Sequence, residues 1–317
     1  MASNNNLTSF DANLKPEDFK QIGIDEKQAE VIQRESLSSW RDSWERLRQN
    51  KMAMTALGVL GLIVLAAIFA PYLSKFNYYS NDLLNTNKPP SFANKHFFGT
   101  DDLGRDIFVR TWYGARISLI VGLAAAAIDL LIGVIYGGIM GYFGGRVDNI
   151  MNKFSEILYA IPYLLVVILL LVVMEPSLGT IILALTITGW INMSWIVRGE
   201  IMQLKNREFV LASRSMGAGS KRLLFRHLLP NAVGPIIVTI TLSVPNAIFA
   251  EAFLSFLGLG VQAPVASLGS MINDSLTGWL YYPWRFLFPA ILVSLIMLSF
   301  NIFGDGLRDA LDPKLKK

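Results

Sequence analysis

Two acidic residues stand inside long apolar runs: Asp129 near the middle of one and Glu251 near the end of another. A carboxylate at membrane depth costs about 3 kcal/mol on insertion scales. Asp129 could relay a proton or cation, or turn a polar face toward the bundle interior, a water-filled path or a partner subunit. No second buried charge is available for a relay. Glu251 reads similarly and, nearer the end of its run, is the more easily solvated. The two histidines, His96 and His227, are far apart and lack an HExxH arrangement, so no metal site is expected. The segment GAGSKR (217–222) has glycines and a lysine but not the GxxxxGK[ST] spacing that cradles nucleotide phosphates. No serine-nucleophile elbow is present. With no Cys, disulfides, thiol catalysis and a lipidated cysteine are excluded. The chain has no catalytic constellation, and its chemistry must be sought in transport or assembly.

The elements that would carry these residues are membrane helices. Hydrophobic residues make up 53% of the 317 and charged residues only 16%, against roughly a quarter charged in soluble domains. The sequence predicts an all-α, polytopic membrane protein with six transmembrane helices: Met52–Leu73, Ile117–Phe143, Phe154–Met174 with a kink at Pro162, Leu178–Val197, Val233–Leu257 interrupted by Pro235 and Pro245, and Trp284–Phe303. Each is long enough for about 30 Å of hydrocarbon. Gly133, Gly137 and Gly141 recur every fourth residue in the second span, where small residues on one face let another backbone approach.

Around the spans the expected organisation is a polar, partly disordered N-terminal arm (1–37) with no cleavable signal peptide, and an interfacial amphipathic helix (38–51) carrying Trp40, Trp44 and Leu47. The first span (52–73) and an extracytoplasmic loop (74–113) follow. Then come a core holding spans two to six (114–309) and a tail (310–317). Segments 1–51, 146–153, 198–226 and 308–317 hold 21 of the 28 Lys and Arg, and 75–116 with Arg285 hold the other 7. The positive-inside rule then places both termini and the basic stretch 199–231 in the cytoplasm. The net charge of +4 fits this bias rather than nucleic-acid binding.

The stretch 199–231 resembles the EAA loop of ABC-importer permeases. That pattern runs Glu-Ala-Ala, three residues, Gly, nine residues, Ile, any residue, Leu, Pro. Ala212, Gly217, Leu229 and Pro230 match it, while Leu211 stands for Glu, Ser213 for the second Ala and His227 for Ile. FGTDDLGRDIFVRTWYGARISL (98–119), EAFLSFLGLGVQAP (251–264) and FNIFGDGLRDALDPKL (300–315) also resemble the oligopeptide, dipeptide and nickel permease family, in the right order, and the tail resembles its C-type subunit. The resemblance covers about residues 38–317. It implies the type I ABC importer permease fold in a bacterial or archaeal cytoplasmic membrane, with peptide as cargo. The implied partners are a second, B-type permease, two ATPase subunits carrying ATP and Mg, and an extracytoplasmic peptide-binding protein; no cofactor is expected on this chain. Phe209, Leu211, Ala212, Ser213, Gly217, Ala218, Leu229 and Pro230 would form the ATPase-coupling loop, with Gly217 as the turn between two short helices. Dipeptides, nickel chelates or other small solutes remain open as cargo. A proton-coupled carrier is the reading from another class, without the internal repeat such carriers show.

Overall fold

The computed structural model describes residues 39–311, with side chains from Arg41 onward. The expected N-terminal arm and residues 312–317 lie outside them. The chain divides into two units, Met1–Asp42 and Ser43–Lys317. Among the described residues there are twelve α-helices, two short 3-10 turns and one π-helical turn, and no strand.

Helix α1 (Ser39–Gln49) ends one residue before α2 (Lys51–Leu73) begins. Asn50 makes the break: its side chain accepts the Ala53 N–H at 3.1 Å and caps α2, supplying one acceptor for the donors a helix start leaves unpaired. Leu47 of α1 is buried with Ala53 and Ala310, while Trp44 is exposed. Helix α3 (Ile107–Phe143) has 37 residues, about 55 Å at 1.5 Å per residue. It starts earlier than the expected Ile117 because its charges are partnered. Arg110 donates to the Tyr78 carbonyl and lies 3.6 Å from the Asp101 carboxylate. Arg116 donates to the carbonyls of Ala67 and Ile68 on α2.

The expected third span is two helices. Helix α4 (Gly145–Ala160) and α5 (Tyr163–Val173) meet at 78°. Pro162 has no N–H and forces the residue before it out of helical geometry; Ile161 is extended (φ −74°, ψ 124°). This is a break rather than the expected kink. The 11 residues of α5 reach about 16 Å, half the hydrocarbon thickness.

Helix α6 (Leu178–Leu204) runs beyond the expected end at Val197. Helix α10 (Val233–Phe256) passes through Pro235 and Pro245 without interruption, contrary to expectation. Pro235 falls in the first turn, where N–H groups have no intrahelical partner anyway. Helix α12 (Pro283–Leu311) runs eight residues beyond the expected end of the sixth span at Phe303. Among the described residues five helices (α2, α3, α6, α10, α12) are long and apolar enough to cross a membrane, six if the bent α4–α5 pair counts as one span.

The core is organised on α3. It lies parallel to α6 along a glycine seam: a Cβ on Gly133 would sit 2.6 Å from the Met193 Cβ, one on Gly137 would strike the Ser194 carbonyl, and one on Gly141 would sit 2.7 Å from the Arg198 carbonyl oxygen. Gly122 admits Ile248 of α10 in the same way. Exposed Leu62, Leu65 and Phe69 on α2, Ile150, Phe154 and Ile157 on α4, and Phe249 and Phe253 on α10 leave apolar faces that water would not tolerate.

Candidate functional site

The bundle has two unlike ends, distinguished by Gly217 and Asp101. At the Gly217 end, α6 is followed by α7 (Glu208–Ser215), α8 (Ser220–Arg222), a π-helical turn Leu223–Leu228 and α9 (Leu229–Asn231). Gly217 has φ +86°. The Gly217 N–H donates to the Arg214 carbonyl (2.9 Å) and the Ala218 N–H to the Ser213 carbonyl (3.1 Å). This is the bond pair that closes a helix on a left-handed residue, where Gly carries no Cβ penalty. Val210 is fully buried in a cluster with Leu223, Leu224, Leu228, Val197 and Ile201, which roots α7 on the bundle. Its other side points away: Phe209, Leu211 and Met216 are 40%, 47% and 82% exposed, and Ala212 is exposed beside them. Ser213 is half-buried and its hydroxyl donates to the Phe209 carbonyl.

Pro230 explains the π turn. A proline cannot donate to the carbonyl four residues back and its ring presses on it; a widened turn relieves that contact. The Leu229 N–H reaches the Leu224 carbonyl, five residues back, and the Asn231 side chain donates to the His227 carbonyl at 2.6 Å. Leu229 packs in the same cluster as Val210. Phe225 is exposed and, with Lys221, Arg222 and Arg226, lines an open groove of about 770 Å³ beside Pro230.

Two ties that sequence reading missed hold the ends of α3, α4 and α6 beneath this loop. Arg198 forms a two-pronged pair with Asp148, with Nη2 to Oδ2 at 2.7 Å. Lys205 Nζ donates to the Gly141 carbonyl at 2.9 Å. Arg198 and Asp148 lie fifty residues apart in sequence, so no local pattern announces the pair.

Asp129 faces α6 at mid-bundle. Its carboxylate occupies the space a Cβ on Gly189 would need, and its Oδ1 is buried with no hydrogen-bond partner among the described residues. Glu251 departs from expectation. It is not solvated but fully buried, with Oε2 accepting from Ser118 (3.0 Å) and Oε1 from Ser255 (2.7 Å).

At the Asp101 end, residues 74–106 fold onto the bundle through charge. Asp101 accepts from Arg105 Nε (2.6 Å) and from the backbone N–H groups of Leu103 and Arg105. Arg285 is buried and bonds Asp102 (3.2 Å), Asn87 (3.1 Å) and the Asp274 carbonyl (3.2 Å). His96 stacks on Phe76 and meets Asp106 at 2.8 Å. Burial pushes the Asp106 carboxyl above its ordinary pKa, against the Val109 N–H and His96, which pull it down. His96 is therefore a structural partner of the α3 cap. Among the described residues no group of three or more His, Asp or Glu could hold a metal ion.

Residues 133–317 match the family described as binding-protein-dependent transport system inner membrane component. The chain belongs to that family. Residues 38–90 match the N-terminal TM domain of oligopeptide transport permease C. The oligopeptide transport system permease protein OppC of Bacillus subtilis is 58% identical over 96% of this chain and 99% of its own length. The dipeptide transport system permease protein DppC of the same organism is 56% identical over 92% of this chain and 91% of its own length. OppC of Escherichia coli is 41% identical over 90% of this chain and 95% of its own length. Among solved structures, a chain of the inward-facing MetNI methionine ABC transporter superposes with a TM-score of 0.51 at 15% identity, over 63% of this chain and 94% of the other. The fold is that of a type I ABC importer permease, and such a permease works in association with other subunits of the transporter.

Proposed function

We propose that this chain is the C-type permease subunit of an ABC importer that carries oligopeptides across the cytoplasmic membrane. The observation that carries this reading is the 58% identity to an oligopeptide permease over nearly the whole of both chains. In this reading the Gly217 end faces the cytoplasm, consistent with the distribution of Lys and Arg, and both termini lie on that side. ATP and Mg are bound by two separate ATPase subunits, and this chain catalyses nothing itself. A B-type permease completes the pore, and an extracytoplasmic binding protein delivers peptide to the Asp101 end.

Coupling runs through α7. Its exposed Phe209, Leu211 and Ala212 dock on an ATPase, while Val210 transmits the contact to α6 and α10 through the buried cluster. The departure of Leu211 from the acidic residue of the EAA pattern makes this docking face apolar. Docking favours one pore state only insofar as its free energy differs between states. Asp129 is the polar residue of the transmembrane path on this chain. A dipeptide cargo is the second reading, favoured by the 56% identity to a dipeptide permease. The complete complex in proteoliposomes, given ATP and binding protein, tests both. Uptake of pentapeptides in preference to dipeptides supports the first, the reverse supports the second, and uptake that follows a proton gradient without ATP defeats both.

A further inference from the structure

Glu251 is unusual among buried carboxylates because no basic side chain pairs with it among the described residues. Its partners are the hydroxyls of Ser118 on α3 and of Ser255, one turn further along α10. Ser118 of α3 donates to Oε2 and itself accepts the N–H of Leu268, the first residue of α11 (Leu268–Ser275), at 3.4 Å. Ser255 donates to Oε1 and lies 3.2 Å from the hydroxyl of Ser267, the α11 cap. A hydroxyl has one proton, so with Ser255 committed to Glu251, Ser267 must donate to Ser255. Both chains of donors therefore run from the start of α11 and end on the one carboxyl group.

The space around this hub is too small for alternatives. A Cβ on Gly269 would sit 2.5 Å from the Ala252 Cα, and one on Gly114 3.1 Å from the Ser267 carbonyl carbon. Ser118, Glu251, Ser255, Ser267 and Leu268 are all buried. The far end of α11 is held differently, by Arg285 on the Asp274 carbonyl, and Arg285's carboxylate partner Asp102 is half exposed.

We propose that Glu251 is a positioning residue for transport, resting on the peptide-import reading above. It seats α11 on α3 and α10 as an acceptor hub, so that the three move as one body and α11 does not open as a lid. An amide at this position keeps the seat. The Ser255 hydroxyl can turn to accept from the amide and donate to Ser267, leaving the amide oxygen for Ser118.

The chain's lack of Cys allows a direct readout. Leu268→Cys, at a fully buried position, is introduced in otherwise unchanged complexes in nanodiscs, and its reaction rate with a bulky maleimide is measured with Glu251, Glu251→Gln and Glu251→Leu. Uptake per ATP hydrolysed is measured in proteoliposomes for the same three forms with Leu268 retained. The expected result is that Glu251→Leu speeds labelling at least tenfold and lowers uptake per ATP at least tenfold, while Glu251→Gln changes each by less than twofold. The proposal is overturned if labelling is unchanged in Glu251→Leu, if labelling rises with uptake per ATP intact, or if the amide behaves as the leucine does. Should Glu251→Leu fail to assemble, Ser255→Ala removes one arm; a threefold or larger rise in labelling supports the hub and no rise overturns it. A wild-type complex that imports no peptide refutes the import reading instead, and the labelling arm still reports whether Glu251 seats α11.

Discussion

Replacing Gly137 by Ala isolates what the glycine seam contributes. The added Cβ strikes the Ser194 carbonyl oxygen and lies 2.9 Å from both the Ser194 Cα and carbonyl carbon. All three atoms are backbone in the middle of α6, so no side chain can swing aside and the two helices must separate. Overpacking of this kind costs about 1–3 kcal/mol, and the better helix propensity of Ala returns about 0.5–1 kcal/mol. The net expectation is a loss of about 1–2 kcal/mol. Gly58 and Gly61 on α2 supply the control, since a Cβ at either meets nothing within 4 Å; there the propensity gain stands alone, about 0.5–1 kcal/mol of stabilisation. Thermal unfolding of the purified complex, followed by tryptophan fluorescence, should separate Gly137→Ala from Gly61→Ala by about 2–5 °C, taking about 1.5 °C per kcal/mol for a chain of this length. Equal midpoints would refute the claim that close approach of α3 and α6 requires these glycines. Gly133→Ala and Gly141→Ala should each resemble Gly137→Ala. The triple variant should lose less than the sum, because once the helices part at one point the neighbouring clashes are relieved.

Gly217→Val meets no steric obstacle, since nothing lies within 4 Å of a Cβ there. Its cost is the left-handed backbone alone, about 1–2 kcal/mol for an L side chain, enough to lower the fraction of coupled complexes several-fold. Peptide-stimulated ATPase should fall while assembly, read by gel filtration, is unchanged; normal stimulation would remove the turn from the coupling scheme. Arg198→Gln leaves the buried Asp148 carboxylate without its cation and should destabilise by about 1–3 kcal/mol, discounted because Arg198 is partly exposed; Asp148→Leu combined with Arg198→Met should recover most of it. Recovery is read by denaturation midpoint, and its absence would mean the pair does more than neutralise Asp148. Phe209→Ala should weaken ATPase association about tenfold, the effect of losing one well-seated aromatic anchor, without altering the midpoint of the free permease. Unchanged association would move the docking face elsewhere.

The helices and their order were legible because apolar runs of this length have few alternatives, and the glycine period was legible because it repeats on one face. The ends were not. Ile107 to Arg116 reads as loop only while Arg110 and Arg116 are imagined without partners; Asp101 and the carbonyls of Tyr78, Ala67 and Ile68 make it helix. The same holds at α6, where Arg198 continues the helix because Asp148 receives it. Glu251 was misread for a related reason: a lone carboxylate near a helix end looks solvated until α11 folds back over it, and that return is set by tertiary packing. The turn at Gly217 was readable, because one residue type at one position decides it. The π turn before Pro230 was not, since proline permits several ways of losing a hydrogen bond.

These details divide the bundle by how firmly its parts are held. Helices α3, α6, α10 and α11 meet through glycine contacts and buried hydrogen bonds that tolerate no added atom at Gly137, Gly122 or Gly269, and α7 is rooted in the same body through Val210. Helix α5 is the opposite. Only Val167 of its 11 residues is buried, and it reaches about half the membrane thickness. The polar contacts that hold α4 lie on the far side of the bend, at Asp148 with Arg198 and at the Met151 carbonyl with the Tyr136 hydroxyl (2.8 Å). A displacement entering at α7 would therefore pass toward the Asp101 end through the close contacts among α3, α6 and α10. Relative movement within the chain would concentrate at Ile161–Pro162, where the backbone hydrogen bonding is already interrupted.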